Sequence, residues 1–131
     1  MPRILIIEDN EDNRDLLSRR LRRHGFDVIT AADGRTGVEL ASTEAPDLIL
    51  LDLNMPDLDG WQVCQMIKSN VETQHLPIIA TTAHEVEGNR ERLLQLGCTD
   101  YHAKPIQLPI LLSQIESILR NDAAQTGGAR R

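Results

Sequence analysis

The sequence has no apolar run long enough to cross a membrane or to act as a secretion signal. Its first run, Ile4-Leu5-Ile6-Ile7, stops at Glu8-Asp9, whereas a signal needs about 7–15 apolar residues and a spanning helix about 20. Positive charge is also short: 14 Lys and Arg against 20 Asp and Glu leave a net charge of −6, which disfavours nucleic acid as a partner. Cysteine is scarce. Cys64 and Cys98 are far apart and in no CxxC pair, so both read as reduced thiols of a cytoplasmic protein. There is no internal repeat and no linker. The 131 residues read as one soluble domain over residues 1–121, able to bury about two-thirds of its extended surface. Beyond Asn121 periodicity is lost, and residues 122–131 read as a flexible tail.

What is present is organised around Leu48 to Gly60. Four aliphatic residues, Leu48 to Leu51, run straight into Asp52. Such a run suits a strand buried on both faces, although periodicity alone does not separate it from a buried helix segment. Pro56 and Gly60 then mark a loop. Arg3 to Ile7 is a second aliphatic run, ended by Glu8 and Asp9, and Leu76 to Ala80 a third, ending in Thr81-Thr82. Phe26 to Ala31 and Thr99 to Ala103 are shorter or more polar strands. Between them lie helical patterns: Glu11 to His24 behind an Asn10 N-cap, Gly34 to Ala45, one marked by Trp61, Cys64 and Ile67, Glu85 to Leu96, and a last one with the stripe Leu108, Leu111, Leu112, Ile115, Ile118 and Leu119.

Strand then helix, five times over, predicts an α/β fold, a doubly wound (βα)5 unit with a parallel five-stranded sheet. The aliphatic strands belong in the centre and the polar ones at the edges, which an order of 2-1-3-4-5 satisfies. Right-handed crossovers then bring the carboxyl ends of all strands to one rim, with the ligand site where the order reverses. The residues delivered there are Glu8, Asp9, Asp52, Thr82 and Lys104. Close carboxylates repel by roughly 4 kcal/mol per pair at an effective dielectric of about 20. A hard divalent cation resolves that repulsion, and Mg²⁺ suits a site with few carboxylates and room for phosphate oxygens. With Lys104 and the Thr82 hydroxyl, the set forms a cradle for a phosphoryl group, leaving a carboxylate as nucleophile.

Glu8-Asp9, Asp52 with Met55-Pro56 and Gly60, Thr82-Ala83 and Lys104-Pro105 together resemble the receiver domain of two-component response regulators, over Arg3 to Arg120. The resemblance implies the flavodoxin-like receiver fold and a single-domain regulator. It implies Asp52 as phospho-acceptor, Glu8, Asp9 and Asp52 as Mg²⁺ ligands, and the Asn54 backbone carbonyl as a further ligand. Thr82 and Lys104 would bind the phosphoryl group, and Thr82 with Tyr101 would form the switch. His84 and Asn54 would tune the phosphoryl lifetime. The implied partners are a histidine kinase or His-phosphotransfer protein and a downstream protein target, with the chain a cytoplasmic monomer or weak dimer.

Each reading has a plainer competitor. Asp52 could merely cap a turn, and Tyr101 could pack as an ordinary strand residue. Asp57 and Asp59 read as helix caps, Asp12 and Asn13 as solvated helix face, and His24, His75 and His102 as surface residues. Arg14, Arg19, Arg20, Arg22 and Arg23 crowd the first helix, either as a solvated face balanced by acids or as a docking surface for an acidic partner. The alternative function is a Mg²⁺-dependent phosphohydrolase with an aspartyl-phosphate intermediate. Such enzymes usually carry a second acid two residues past the nucleophile, where this chain has Asn54, and a cap over the substrate. A constitutive interaction module is disfavoured because all five rim positions are filled.

Overall fold

A computed structural model of the chain describes residues 1–56, 58–83 and 87–129, and side chains outside 84–90 and 122–131. Its elements run β1 (Arg3–Ile7), α1 (Glu11–Arg23), β2 (Asp27–Ala31), α2 (Gly34–Thr43), β3 (Leu48–Asp52), α3 (Gly60–Ser69), β4 (Ile78–Thr82), α4 (Glu87–Gln95), β5 (Asp100–Ala103) and α5 (Leu108–Ala129). The five strands form one parallel sheet in the order β2-β1-β3-β4-β5. The predicted architecture and strand order are therefore those of the molecule.

Alternation along the strands divides the core into two layers. Ile4, Ile6, Leu48, Leu50 and Ile79 face Leu21 of α1 and Leu111 and Ile115 of α5. Leu5, Ile7, Ile49, Leu51, Ile78 and Ala80 face Ala41 of α2, Val63, Cys64 and Ile67 of α3, and Leu93 of α4. β3 and β4 are buried at every position, whereas β2 and β5 are half-buried over much of their length. Central strands need apolar side chains on both faces; edge strands do not.

Helix starts follow local capping chemistry. Asn10, Asp33 and Asp59 each accept a hydrogen bond from a backbone N–H three residues on, and Asp59 forms a full capping box with Gln62. Asp57, the other acid read as a cap, lies outside the described residues, as do Glu85 and Val86. β4 starts at Ile78 rather than Leu76, because Pro77 has no N–H to give the sheet and enters it only as an acceptor for the Ile49 amide at 3.0 Å. α5 continues through Ala129, past the boundary expected at Asn121; Ala123, Ala124 and Gln125 are good helix formers that extend a helix packing has already started, whereas the propensities of Thr126, Gly127 and Gly128 do not account for its last turn.

His102 is the clearest correction. It is buried, not a surface residue. The Gln107 backbone N–H donates to its Nε2 at 3.1 Å, so Nδ1 carries the proton and donates to Gln114 Oε1 at 2.8 Å. Gln114 in turn donates to Asp100 Oδ2 and to the Tyr101 carbonyl. Burying an imidazole is tolerable when both nitrogens are matched.

Candidate functional site

The carboxyl ends of β1 and β3 meet where the strand order reverses, and the Lys104 side chain reaches them from the end of β5, beyond β4. Glu8 follows β1 and is held there by its amide donating to the Ala31 carbonyl at 3.1 Å. Arg14, one turn into α1, donates to the Glu8 carbonyl at 3.0 Å and the Asp9 carbonyl at 3.4 Å, clipping the acidic turn to its helix. Asp52 ends β3 and is 3% exposed. Its Oδ1 accepts from the Asn54 amide at 2.9 Å and from Lys104 Nζ at 3.0 Å. Lys104 also lies 3.7 Å from Glu8 Oε1. A ligand oxygen from each of Glu8, Asp9 and Asp52 lies within 4.8 Å of the others. Of the five positions expected at one rim, the three acids lie together and Lys104 reaches two of them, Glu8 and Asp52.

Thr82, the fifth, ends β4 on the same rim and is buried. Its carbonyl accepts from the Lys104 amide at 2.7 Å, so the chain positions carrying hydroxyl and ammonium are tied together. Tyr101 is half-buried against the cluster that contains Leu93 and Cys98. Asn54 is exposed, and its Oδ1 accepts from the Ala83 amide at 3.0 Å, bridging the β3–α3 and β4–α4 loops. His84 lies outside the described residues. Asp12 and Asn13 are exposed, and Asp59 is an N-cap, as read. The Lys104–Pro105 peptide is cis.

The electrostatics favour an added cation. Burial, and then hydrogen bonding to Asp52, push the Glu8 carboxyl up to about 7, against the opposing pull of the Asn10 amide and Lys104. One ammonium does not compensate the three acids once Glu8 ionises as well. A set of three carboxylate oxygens with solvent on the Asp9 side fits a hard, oxygen-seeking divalent ion that keeps some of its water.

Beside the carboxylates opens a cavity of about 400 Å³, lined by Asn13, Leu16, Leu17 and Arg20 of α1, by Pro105 and Ile106, and by Glu8, Asp52, Thr81 and Lys104. Arg20 faces this cavity, and Arg22 donates to the Val28 carbonyl at 3.2 Å. The basic face of α1 is therefore partly structural. Sequence alone did not suggest two further contacts, the Arg92 guanidinium 4.1 Å over the Trp61 ring and Cys64 Sγ 2.9 Å from Cys98 Sγ.

Comparison with known proteins places this arrangement. A family model described as the response regulator receiver domain matches residues 4–116. The chain belongs to that family. The polar-differentiation response regulator DivK of Brucella anthropi is 38% identical over 120 residues, covering 91% of this chain and 98% of DivK. The response regulator PleD of Caulobacter vibrioides is also 38% identical, over 90% of this chain, but the chain spans only 26% of PleD's length. Among solved structures, Vibrio cholerae CheY4, a chemotaxis protein, superposes with a TM-score of 0.85 at 26% identity, covering 89% of this chain and 98% of CheY4. The receiver domain of a sensor histidine kinase from Pseudomonas aeruginosa, solved with magnesium in its active-site cleft, gives 0.76 at 36% identity over 92% of this chain and 95% of that one. This receiver domain has no helix among its described residues long and apolar enough to cross a membrane.

Proposed function

We propose that the chain is a cytoplasmic single-domain response regulator that takes a phosphoryl group onto Asp52. The observation that carries this is the buried Asp52 carboxylate, hydrogen-bonded on Oδ1 by Asn54 and Lys104 and sharing ligand-oxygen distances with Glu8 and Asp9. Glu8, Asp9 and Asp52, with the Asn54 backbone carbonyl, would hold Mg²⁺, which fits their donor chemistry. When bound, the ion supplies charge neutralisation for phosphoryl oxygens and for the crowded acids.

The residues of the chain do the rest. Asp52 is the nucleophile: its carboxylate oxygen forms a bond to phosphorus as the bond to a partner's phosphohistidine nitrogen breaks, and the imidazole leaves. Asn54 N–H and the rigid end of β3 fix the attacking carboxylate. Lys104 gives its ammonium to a phosphoryl oxygen, exchanging the bond it makes with Asp52. Thr82 donates its hydroxyl to another oxygen, and its displacement opens room for Tyr101 to turn inward. That biases the face formed by α4, β5 and α5 toward a form that a downstream protein recognises. Asn54 and His84 would tune how long the phosphoryl group survives.

The donor is a histidine kinase or His-phosphotransfer protein. Its docking on α1 is supported by the cavity that Leu16, Leu17 and Arg20 share with Asp52. The chain assists its own phosphorylation and dephosphorylation but is a switch, acting as a monomer or weak dimer. A phosphohydrolase is the weaker reading: Asn54 is an amide whose Oδ1 is engaged by Ala83, not a second acid.

Acetyl phosphate with Mg²⁺ tests the reading. The parent chain should take up stoichiometric phosphate, and Asp52→Asn should keep its fold and lose the uptake. Labelling of Asp52→Asn at the parent's rate would overturn the assignment, and sustained turnover of a phosphomonoester would favour the hydrolase.

A further inference from the structure

Two buried nucleophiles have no part in phosphoryl transfer. Cys64 lies in α3 and Cys98 just beyond α4, 34 residues later; both are free and both are buried. Their sulfurs are 2.9 Å apart, against roughly 2.05 Å in a disulfide, so a bond requires a closing movement of about 1 Å. Hydrogen bonding orders the pair. The Cys64 thiol can donate to the Leu96 carbonyl at 3.9 Å, which leaves its sulfur to accept from Cys98; that bond draws the Cys64 thiol down against the opposing cost of burial and pushes the Cys98 thiol up. Lys68, one turn beyond Cys64, adds a favourable positive charge. The order is that of an attacking and a resolving thiol; because both sulfurs are buried, a peroxide reaches them through local opening of this packing.

Cys98 occupies a mechanical position. Its amide donates to the Leu93 carbonyl at 3.0 Å and that of Gly97, at φ +98°, to the Leu94 carbonyl at 3.1 Å, which together close the end of α4. The next residue, Thr99, donates its amide to Ile78 and accepts the Ile78 amide on its hydroxyl, entering β5. A bond from Cys98 to α3 therefore fixes the junction of α4 and β5. Arg92 of α4, stacked on Trp61 of α3, joins the same two helices.

We propose that Cys64 and Cys98 are an oxidation site, at which a peroxide forms an intramolecular disulfide that fastens the end of α4 to α3 and holds the phosphorylation-responsive face in one position. The Cys64 thiolate attacks the O–O bond, giving a sulfenic acid and releasing hydroxide, which takes up the thiol's proton as water. The Cys98 sulfur then attacks the sulfenic sulfur, the S–O bond breaks, and a second water leaves. Two thiols are oxidised by two electrons and one hydrogen peroxide is reduced to two waters. Formation of the bond is independent of the function proposed above; its effect on signalling rests on that reading.

The test treats the full chain with hydrogen peroxide and maps peptides without reduction. A peptide linking Cys64 to Cys98, lighter by two hydrogens, reversed by dithiothreitol and absent from Cys64→Ala and Cys98→Ala, is the expected result. Links between chains, sulfonic acids, or two thiols still open to alkylation after unfolding would overturn the site. Hydrogen exchange then reads the lock. Oxidation should slow exchange over residues 91–99 at least about tenfold and abolish the change that acetyl phosphate causes there in the reduced chain. Equal exchange in both redox states, or a phosphorylation response that persists in the oxidised chain, would overturn the lock. If the reduced chain takes up no phosphate, the proposed function fails while the linked peptide still stands.

Discussion

Lys104 Nζ stands 3.0 Å from Asp52 and 3.7 Å from Glu8, so in the resting domain it occupies ground that a cation and a phosphoryl group would contest. Removing it should free the carboxylates for metal while breaking transmission. Lys104→Ala is expected to fold, to bind Mg²⁺ about tenfold more tightly by calorimetry, equivalent to roughly 1.4 kcal/mol, and to lose phosphorylation-dependent partner binding. Unchanged Mg²⁺ affinity would mean that Lys104 does not compete for those oxygens. At this scale the sequence was legible wherever chemistry and position coincided. Acids directly after aliphatic runs, and Lys104 before Pro105, are visible as punctuation at strand ends. His102 was not visible in that way, because its burial depends on Gln107 and Gln114, which reach it only after α5 folds back on β5. Cys64 and Cys98 have no local signal of their contact either, since it arises from α3 and the α4–β5 junction packing on one sheet face.

Gly60 shows how an element constrains the site. A Cβ there would come within 2.5 Å of the Asp52 carbonyl oxygen and of Leu53 Cα, both backbone atoms that cannot rotate away. α3 therefore begins in contact with the end of β3, and the loop carrying Asn54 is folded tightly between them. Gly60→Ala is expected to destabilise the domain by about 1–3 kcal/mol in urea unfolding. A loss under about 0.5 kcal/mol, within the range of neutral surface changes, would mean that the loop yields freely. The strands were readable from aliphatic runs, and the N-caps Asn10 and Asp59 from residue type. Element ends were less so. Pro77 moved the start of β4 inward by denying it a donor, and α5 outran its apolar stripe through the good formers Ala123 to Gln125 and then through Gly127 and Gly128, which propensity alone does not predict.

Across the whole molecule, the order β2-β1-β3-β4-β5 converts a linear spacing of acids, hydroxyl and amine into one rim. That conversion was inferable because central and edge strands differ in composition. The extent of α5 past the region shared with the family is a separate matter, since the family match ends at residue 116 and the helix at Ala129. Deleting residues 122–131 is expected to leave the rate of phosphate uptake unchanged within about twofold, a difference of roughly 0.4 kcal/mol in barrier; a tenfold loss would give that segment a role at the site. The most direct measurement of the central claim is chemical mapping of the acceptor. After incubation of the full chain with Mg²⁺ and acetyl phosphate, borohydride reduction should convert one aspartyl phosphate to homoserine at position 52. Homoserine at another aspartate, the corresponding five-carbon alcohol at a glutamate, or phosphate retained on a histidine, would contradict the account.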